Sequence, residues 1–124
     1  MRILLDTHAV LWALEGGKKL SKTARDAIED PENVVLVSAV SAWEIAIKKA
    51  LGRLVAPDDF VDAVDEAGFV RRPIGFGEVR RFESVPRLHG DPFDRMLVAH
   101  ALEEGARFVT RDPVLARYAV EILW

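Results

Sequence analysis

Arg2-Ile3-Leu4-Leu5-Asp6-Thr7-His8 is the stretch that decides the fold. Ile3, Leu4 and Leu5 are apolar in succession, with no polar alternation, which reads as a strand covered on both faces. Asp6 follows with no turn signal, and a helical pattern then runs from Thr7 to Glu15 and stops at Gly16-Gly17. A buried strand passing directly into a helix is the opening of a βαβ unit. In such a unit Asp6 stands at the carboxyl edge of the sheet, where open α/β folds place their chemistry.

The same alternation continues along the chain. Ser21 is placed to N-cap a helix reaching Asp30 and ended by Pro31. Val34-Val35-Leu36-Val37 is continuous, apolar and β-branched, as a central parallel strand requires. A helix then starts at Ser38 or Ser41 and reaches about Leu51, with Gly52 as its stop. Asp58 to Ala67 reads as a helix closed by Gly68, and Phe69 to Arg72 as a short strand. Residues 84–91 read as a loop. Asp91 caps a helix with Pro92 at its first position and Gly105 at its end. Arg107 to Thr110 is a strand, Asp112-Pro113 opens a short helix, and Val120 to Leu123 is a last edge strand. With no repeat, low-complexity segment or linker, the pattern predicts one α/β domain over residues 1–124 around a mostly parallel sheet.

Composition narrows the classes. Of 124 residues, 50% are hydrophobic and 30% charged, enough apolar material for a core. The absence of cysteine excludes disulfides and zinc–thiolate sites and agrees with a reducing, cytoplasmic setting. The first apolar run is cut at Asp6, so it does not read as a signal peptide, and no apolar stretch is long enough to span a bilayer. The formal net charge is −3, so any grip on a polyanion must come from a local basic patch or a bound cation.

Four acids from four segments are predicted to meet at the carboxyl edge. Asp6 follows the first strand, and Asp112 follows the strand ending at Thr110. Asp94 lies in the first turn of the helix that feeds that strand, and Glu44 in the second turn of the helix leaving Val37. On a helical wheel Glu44 shares its face with Val40, Ile47 and Leu51, and Asp94 shares its face with Leu97, Val98 and Ala101. A carboxylate on an apolar stripe is costly unless paired, and a shared cation would pair it. Oxygen ligands without cysteine favour Mg2+ or Mn2+ over zinc. Each acid also has an ordinary reading: Asp6 and Asp112 as helix caps, Asp94 as an acid in a first turn, and Glu44 as the partner of Lys48 at i,i+4. Caps do not require four segments to share one edge, and that joint pattern favours the site.

These residues resemble a known family. Ile3-Leu4-Leu5-Asp6-Thr7-His8, Val37-Ser38-Ala39-Val40-Ser41-Ala42-Trp43-Glu44-Ile45, Asp91-Pro92-Phe93-Asp94-Arg95-Met96-Leu97-Val98-Ala99 and Val109-Thr110-Arg111-Asp112 are similar to the motifs of PIN-domain proteins, above all the VapC-type toxins of toxin–antitoxin pairs. The likeness runs in order over essentially the whole chain. It implies a three-layer α/β/α fold with a parallel sheet of about five strands. It also implies Mg2+- or Mn2+-dependent endoribonuclease activity on RNA, homodimerisation, and neutralisation by a cognate antitoxin in a heterotetramer or larger complex. By matching position the family's acids fall on Asp6, Glu44, Asp94 and Asp112, with Thr7, Ser38 and Thr110 as supporting hydroxyls. Asp91 is an additional acid beside Asp94.

Within this frame Asp6 and Asp94 are expected to be the principal cation ligands, with Glu44 and Asp112 binding directly or through water. Arg95 and Arg111, beside proposed ligands, are the first candidates for phosphate contact. Lys48, Lys49 and Arg53 follow, with a solvated helix face as their ordinary reading. His8, His89 and His100 lack a tight ligand spacing and read as core-edge or loop residues, with a site role for His8 or His89 as the lesser alternative. Trp12, Trp43 and Phe60 read as packing, with a dimer face or a groove for an antitoxin helix as the alternative for an exposed subset. Two other phosphate enzymes fit poorly. A haloacid-dehalogenase-type phosphatase wants Asp-x-Asp where this chain has Asp6-Thr7-His8, and a receiver domain wants a phosphorylatable Asp where Ser38 stands. The alternative of another class is a catalytically silent PIN-fold module that binds RNA or protein.

Overall fold

The computed structural model describes residues 1–124. Its elements are β1 (Arg2–Leu5), α1 (Thr7–Leu14), α2 (Lys22–Glu29), β2 (Val34–Ser38), α3 (Ala39–Ala50), α4 (Phe60–Glu66), β3 (Val70–Arg72), α5 (Phe76–Ser84), α6 (Pro92–Glu104), β4 (Arg107–Val109) and β5 (Ile122–Leu123). A single 3-10 turn, Leu115–Arg117, lies between the last two strands. The five strands form one sheet in the order β3-β2-β1-β4-β5, and every pairing is parallel.

Strand periodicity divides the core into two layers. Ile3, Leu5, Val35, Val37 and Val109 face one way and pack with Ala9, Val10 and Leu11 of α1, Ala24 of α2, Ile45 of α3, and Phe60 and Val64 of α4. Leu4, Leu36 and Phe108 face the other way and pack with Leu97, Val98, Ala99 and Ala101 of α6. Leu4, Leu36 and Phe108 stand side by side in register across three strands. Each such side chain, fully removed from water, contributes ~1.5–3 kcal/mol. This two-sided burial is why β1 and β2 read as unbroken apolar runs.

Five of the six helices start on a side-chain cap. Asp6, Ser21, Ser38, Asp59 and Asp91 accept the backbone N–H of Ala9, Ala24, Val40, Asp62 and Phe93 respectively. Such a cap is worth ~1 kcal/mol over alanine. At the far end of α6, Gly105 takes the left-handed conformation at φ 60°, which ends the helix and turns the chain into β4. Connections run from β1 through β2 to β3 on one side, then return to β4 on the other. The strand order therefore reverses between β1 and β4, and the carboxyl edge there is the crevice such sheets offer to a ligand.

The main departure from expectation is α5. No element is predicted between Pro73 and Glu83, yet Phe76–Ser84 is helical. None of its residues is fully buried, so no apolar stripe announces it. It is held from outside: Glu78 accepts the Gly75 N–H at 2.9 Å, Arg81 pairs with Glu103 of α6 at 2.8 Å, and Phe82 packs on the second core layer. β4 ends one residue earlier than read, with Thr110 outside it, and β5 starts two residues later, with Val120 outside it. Leu51, expected on the face of Glu44, lies past the end of α3 and is exposed.

Candidate functional site

Asp6, Thr7, His8, Glu44, Lys48, Asp91, Asp94, Asp112 and Leu115 line a cavity of about 100 Å3 at the carboxyl edge. All four acids named from the sequence are present, carried by the end of β1, the second turn of α3, the first turn of α6, and the segment after β4. The topology explains the convergence. Asp6 and Asp112 follow the two strands that flank the reversal in strand order, and α3 and α6 both begin on that edge.

Each carboxylate is held differently. Asp6 is nearly buried and accepts the Ala9 N–H at 2.7 Å through one oxygen. Burial pushes its pKa up, as does the charge of Glu44, against the Thr110 hydroxyl, the Ala9 N–H and His8. Glu44 is buried but fully paired: Thr7 Oγ1 donates to Oε1 at 2.6 Å, and Lys48 Nζ reaches Oε2 at 2.5 Å. That hydrogen bond raises the Lys48 pKa. The expectation that Glu44 needs a cation to tolerate its apolar face is therefore corrected. Thr7 and its own i,i+4 lysine already satisfy it.

Asp94 is the group left in deficit. Its nearest imidazole nitrogen is His89 Nε2, 3.4 Å from Oδ2. Burial, and then the charges of Asp91, Glu44, Asp6 and Asp112, raise its pKa from 3.8 to about 7. Asp112 is positioned by its backbone N–H, which donates to Thr110 Oγ1 at 3.1 Å, and by Oδ1, which accepts the Val114 N–H at 2.9 Å. Asp91 lines the cavity as well, but its Oδ1 is engaged at the start of α6, accepting Phe93 N–H at 2.8 Å.

The supporting residues divide. Thr7 and Thr110 contact the acids, as expected. Ser38 does not: its Oγ lies 2.8 Å from His100 Nδ1 and accepts the Val40 N–H, so it joins β2 to α6 rather than the site. Ser41, fully buried, takes part instead, with its Oγ 3.1 Å from Thr7 Oγ1. Arg95 also departs from expectation. Its guanidinium donates to the Val85 carbonyl at 3.1 Å and lies 4.6 Å from the Phe82 ring centroid, facing α5 instead of the cleft. Lys49 is taken up by the Pro57 carbonyl. Lys48 lines the cavity, and Arg111 lines the adjoining recess.

His89, for which a site role is only the lesser expectation, stands beside the acids. Its Nδ1 accepts the Asp91 N–H at 2.8 Å, which turns Nε2 toward Asp94 and, at 3.9 Å, Asp112. One ligand atom from each of His89, Asp94 and Asp112 falls within 4.8 Å of the others. Only its place two residues before the α6 cap hinted at this. His100 is fully buried, whereas a core-edge or loop position was expected. Phe60 is core, Trp12 is partly buried, and Trp43 is exposed and meets Phe93 edge-on at 5.1 Å.

The donor set is carboxylate oxygen around a small cavity, with the His89 imidazole beside Asp94 and Asp112, and the crowding raises the Asp94 pKa to about 7. These residues fit a hard divalent cation, whose charge would offset the repulsion.

Comparison with known proteins gives the family. Residues 3–121 match the PIN domain family. Ribonuclease VapC22 of Mycobacterium tuberculosis is 32% identical over 117 residues, covering 89% of this chain and 86% of that protein. Among solved structures, VapBC2 from Rickettsia felis bound to a DNA fragment from their promoter superposes with a TM-score of 0.70 at 15% identity, over 98% of this chain and 97% of that one. FitAcB from Neisseria gonorrhoeae superposes with a TM-score of 0.58 at 16% identity, over 97% and 95%. The last two likenesses concern the fold. The family match over nearly the whole length, with a relative above 30% identity, establishes that this chain belongs to the PIN domain family.

Proposed function

We propose that the chain is a divalent-metal-dependent endoribonuclease, the toxin of a toxin–antitoxin pair. The observation that carries this reading is the crowding of Asp6, Glu44, Asp94 and Asp112 around one cavity, with Asp94 held at about 7. Family membership and the kinship with a VapC ribonuclease support it. Carboxylates packed this closely lower stability unless their charge is used, and strongly perturbed groups in a cleft favour a functional reading.

In this reading Asp6 and Asp94 hold the cation, Mg2+ or Mn2+, with Glu44 and Asp112 completing the set. When bound, the ion would activate water and offset charge developing on the phosphate. The chain's own part is positioning. Thr7 and Lys48 fix Glu44, Thr110 and the Val114 N–H fix Asp112, and the Ala9 N–H orients Asp6. A carboxylate of the set accepts the proton of the attacking water. Arg111, at the rim, meets the phosphate.

The partners in this reading are a cognate antitoxin and a second copy of the chain. An apolar groove of about 390 Å3, lined by Trp43, Ile74, Phe82, Phe93 and Met96, supports docking of a protein partner. No helix is long and apolar enough to cross a membrane.

The test is incubation of the purified protein with RNA in Mg2+, in Mn2+ and in EDTA. Cleavage is expected with metal only, and Asp6→Asn and Asp94→Asn are expected to lose about a hundred-fold or more. Wild-type rates in both variants would sink the reading. RNA bound but never cut would favour a silent binding module.

A further inference from the structure

The acid cavity does not end at Asp6 and Asp112. Asp6, His8 and Asp112 also line a second recess, of about 280 Å3, whose other walls are Trp12, Arg111 and Pro113. The two spaces share an edge, so the recess lies within reach of a nucleotide next to a phosphate that meets the acids. We propose that the recess holds one nucleobase of single-stranded RNA, stacked on His8 and Trp12, with Arg111 against the neighbouring phosphate. The proposal rests on the ribonuclease reading and specifies how that substrate is seated.

The aromatic wall is built in advance. His8 and Trp12 are one turn apart on α1, their ring centroids 5.6 Å apart and their planes tilted by only 33°. Trp12 is braced by Trp124, whose ring centroid lies 6.1 Å away, and packs on the first core layer. A ring fixed by its own packing offers a stacking face with little entropy left to lose. His8 is exposed while the neighbouring Thr7, Ala9 and Val10 are buried, so its ring stands on the solvent side of α1.

Arg111 supplies the charge. Of the five cations considered for phosphate contact, Lys48 is bound to Glu44, Arg95 to the Val85 carbonyl and Lys49 to the Pro57 carbonyl. The Arg111 guanidinium is engaged by neither carboxylate nor carbonyl, and lies 6.0 Å from the Trp12 ring centroid. An aromatic face with a guanidinium beside it is the arrangement that takes a base and its phosphate together, because every base has a π-face. Such a subsite grips RNA without reading its sequence. It also answers the mildly acidic net charge of the chain, since stacking requires no global positive field.

The test measures binding in an Asp94→Asn background, so that the strand is not consumed, using a labelled single-stranded RNA and an abasic ribose–phosphate oligomer of equal length. His8→Ala and Trp12→Leu are each expected to weaken binding of the base-bearing strand about ten-fold and to leave the abasic strand unchanged. Arg111→Ala is expected to weaken both strands and to flatten the salt dependence. His8 is exposed, so His8→Ala keeps the test valid even if Trp12→Leu unfolds. Base-bearing RNA bound as tightly by His8→Ala as by its parent overturns the proposal. So does an equal loss on both strands, or no binding of the base-bearing strand at all. Failure of wild-type protein to cleave RNA, with the base-dependent difference intact, sinks the ribonuclease reading and leaves the subsite standing.

Discussion

Asp94 and Glu44 occupy equivalent positions on their wheels, but their neighbours treat them in opposite ways. Glu44 has Thr7 and Lys48, whereas Asp94 has four acids and one imidazole 3.4 Å away. A carboxyl whose folded pKa exceeds its unfolded value binds more protons when folded, so its contribution to stability falls as pH rises from about 4 through about 7. Without metal at pH 8, Asp94→Asn should therefore stabilise the fold and raise the unfolding midpoint. Mn2+ should then stabilise the wild type more than the variant, and thermal melts in EDTA and in Mn2+ check both. Thr7→Val should act in the other direction. It leaves a buried oxygen of Glu44 without its donor, at a cost of ~1–3 kcal/mol, read as a shift in the urea midpoint at constant slope. The identity of the acids was legible from their positions after strands and in first turns. Which acid lacked a partner was not, because Thr7 and Glu44 lie 37 residues apart.

At the level of elements, legibility followed burial. β1, β2 and α6 were recognisable because both sheet faces are covered and α6 carries Leu97, Val98 and Ala101 inward. α6 is also marked at both ends, by Asp91-Pro92 and by Gly105. No atom lies within 4 Å of a Cβ built on Gly105, so Gly105→Ala has only its left-handed backbone to oppose it. The expected loss is ~1–2 kcal/mol, seen as a lower melting temperature with cleavage kinetics unchanged. Leu97→Ala empties a fully buried position on the same helix and should cost ~2–5 kcal/mol by urea denaturation. α5 was illegible for the converse reason. Its stability comes from Arg81–Glu103, from the Glu78 hydrogen bond to the Gly75 N–H, and from one packed aromatic, none of which leaves a period in the sequence.

Across the whole molecule, a polar chain runs from a buried start to an exposed end and ties the sheet to α6. Ser38 at the end of β2 meets His100 of α6, and Glu104 one turn on takes Arg72 of β3 and Arg2 of β1. Burial alone would raise the Glu104 pKa, but the hydrogen bonds from Arg72 and Arg2 overcome it and hold the group below its ordinary value. Burial lowers His100, opposed by the charges of Glu104 and Glu78. An imidazole kept neutral in the folded state but free to protonate when unfolded contributes stability that is lost as pH falls below its ordinary range, near 6.5. His100 should therefore pull urea midpoints down between pH 7 and pH 5, against the opposite pull of Asp94, and His100→Gln should lose that downward part of the profile. An equal slope in both proteins would remove His100 from the cause. The sequence by itself determined the α/β alternation, the helix caps and the four acids at one sheet edge, because strand burial, capping and chain order are local or topological. Only the tertiary structure decided that Ser38 faces His100, that Arg95 faces α5, that His89 joins the acids and that Arg111 stays free. Those are distances between segments far apart in the chain, and they are settled by how the helices pack on the sheet.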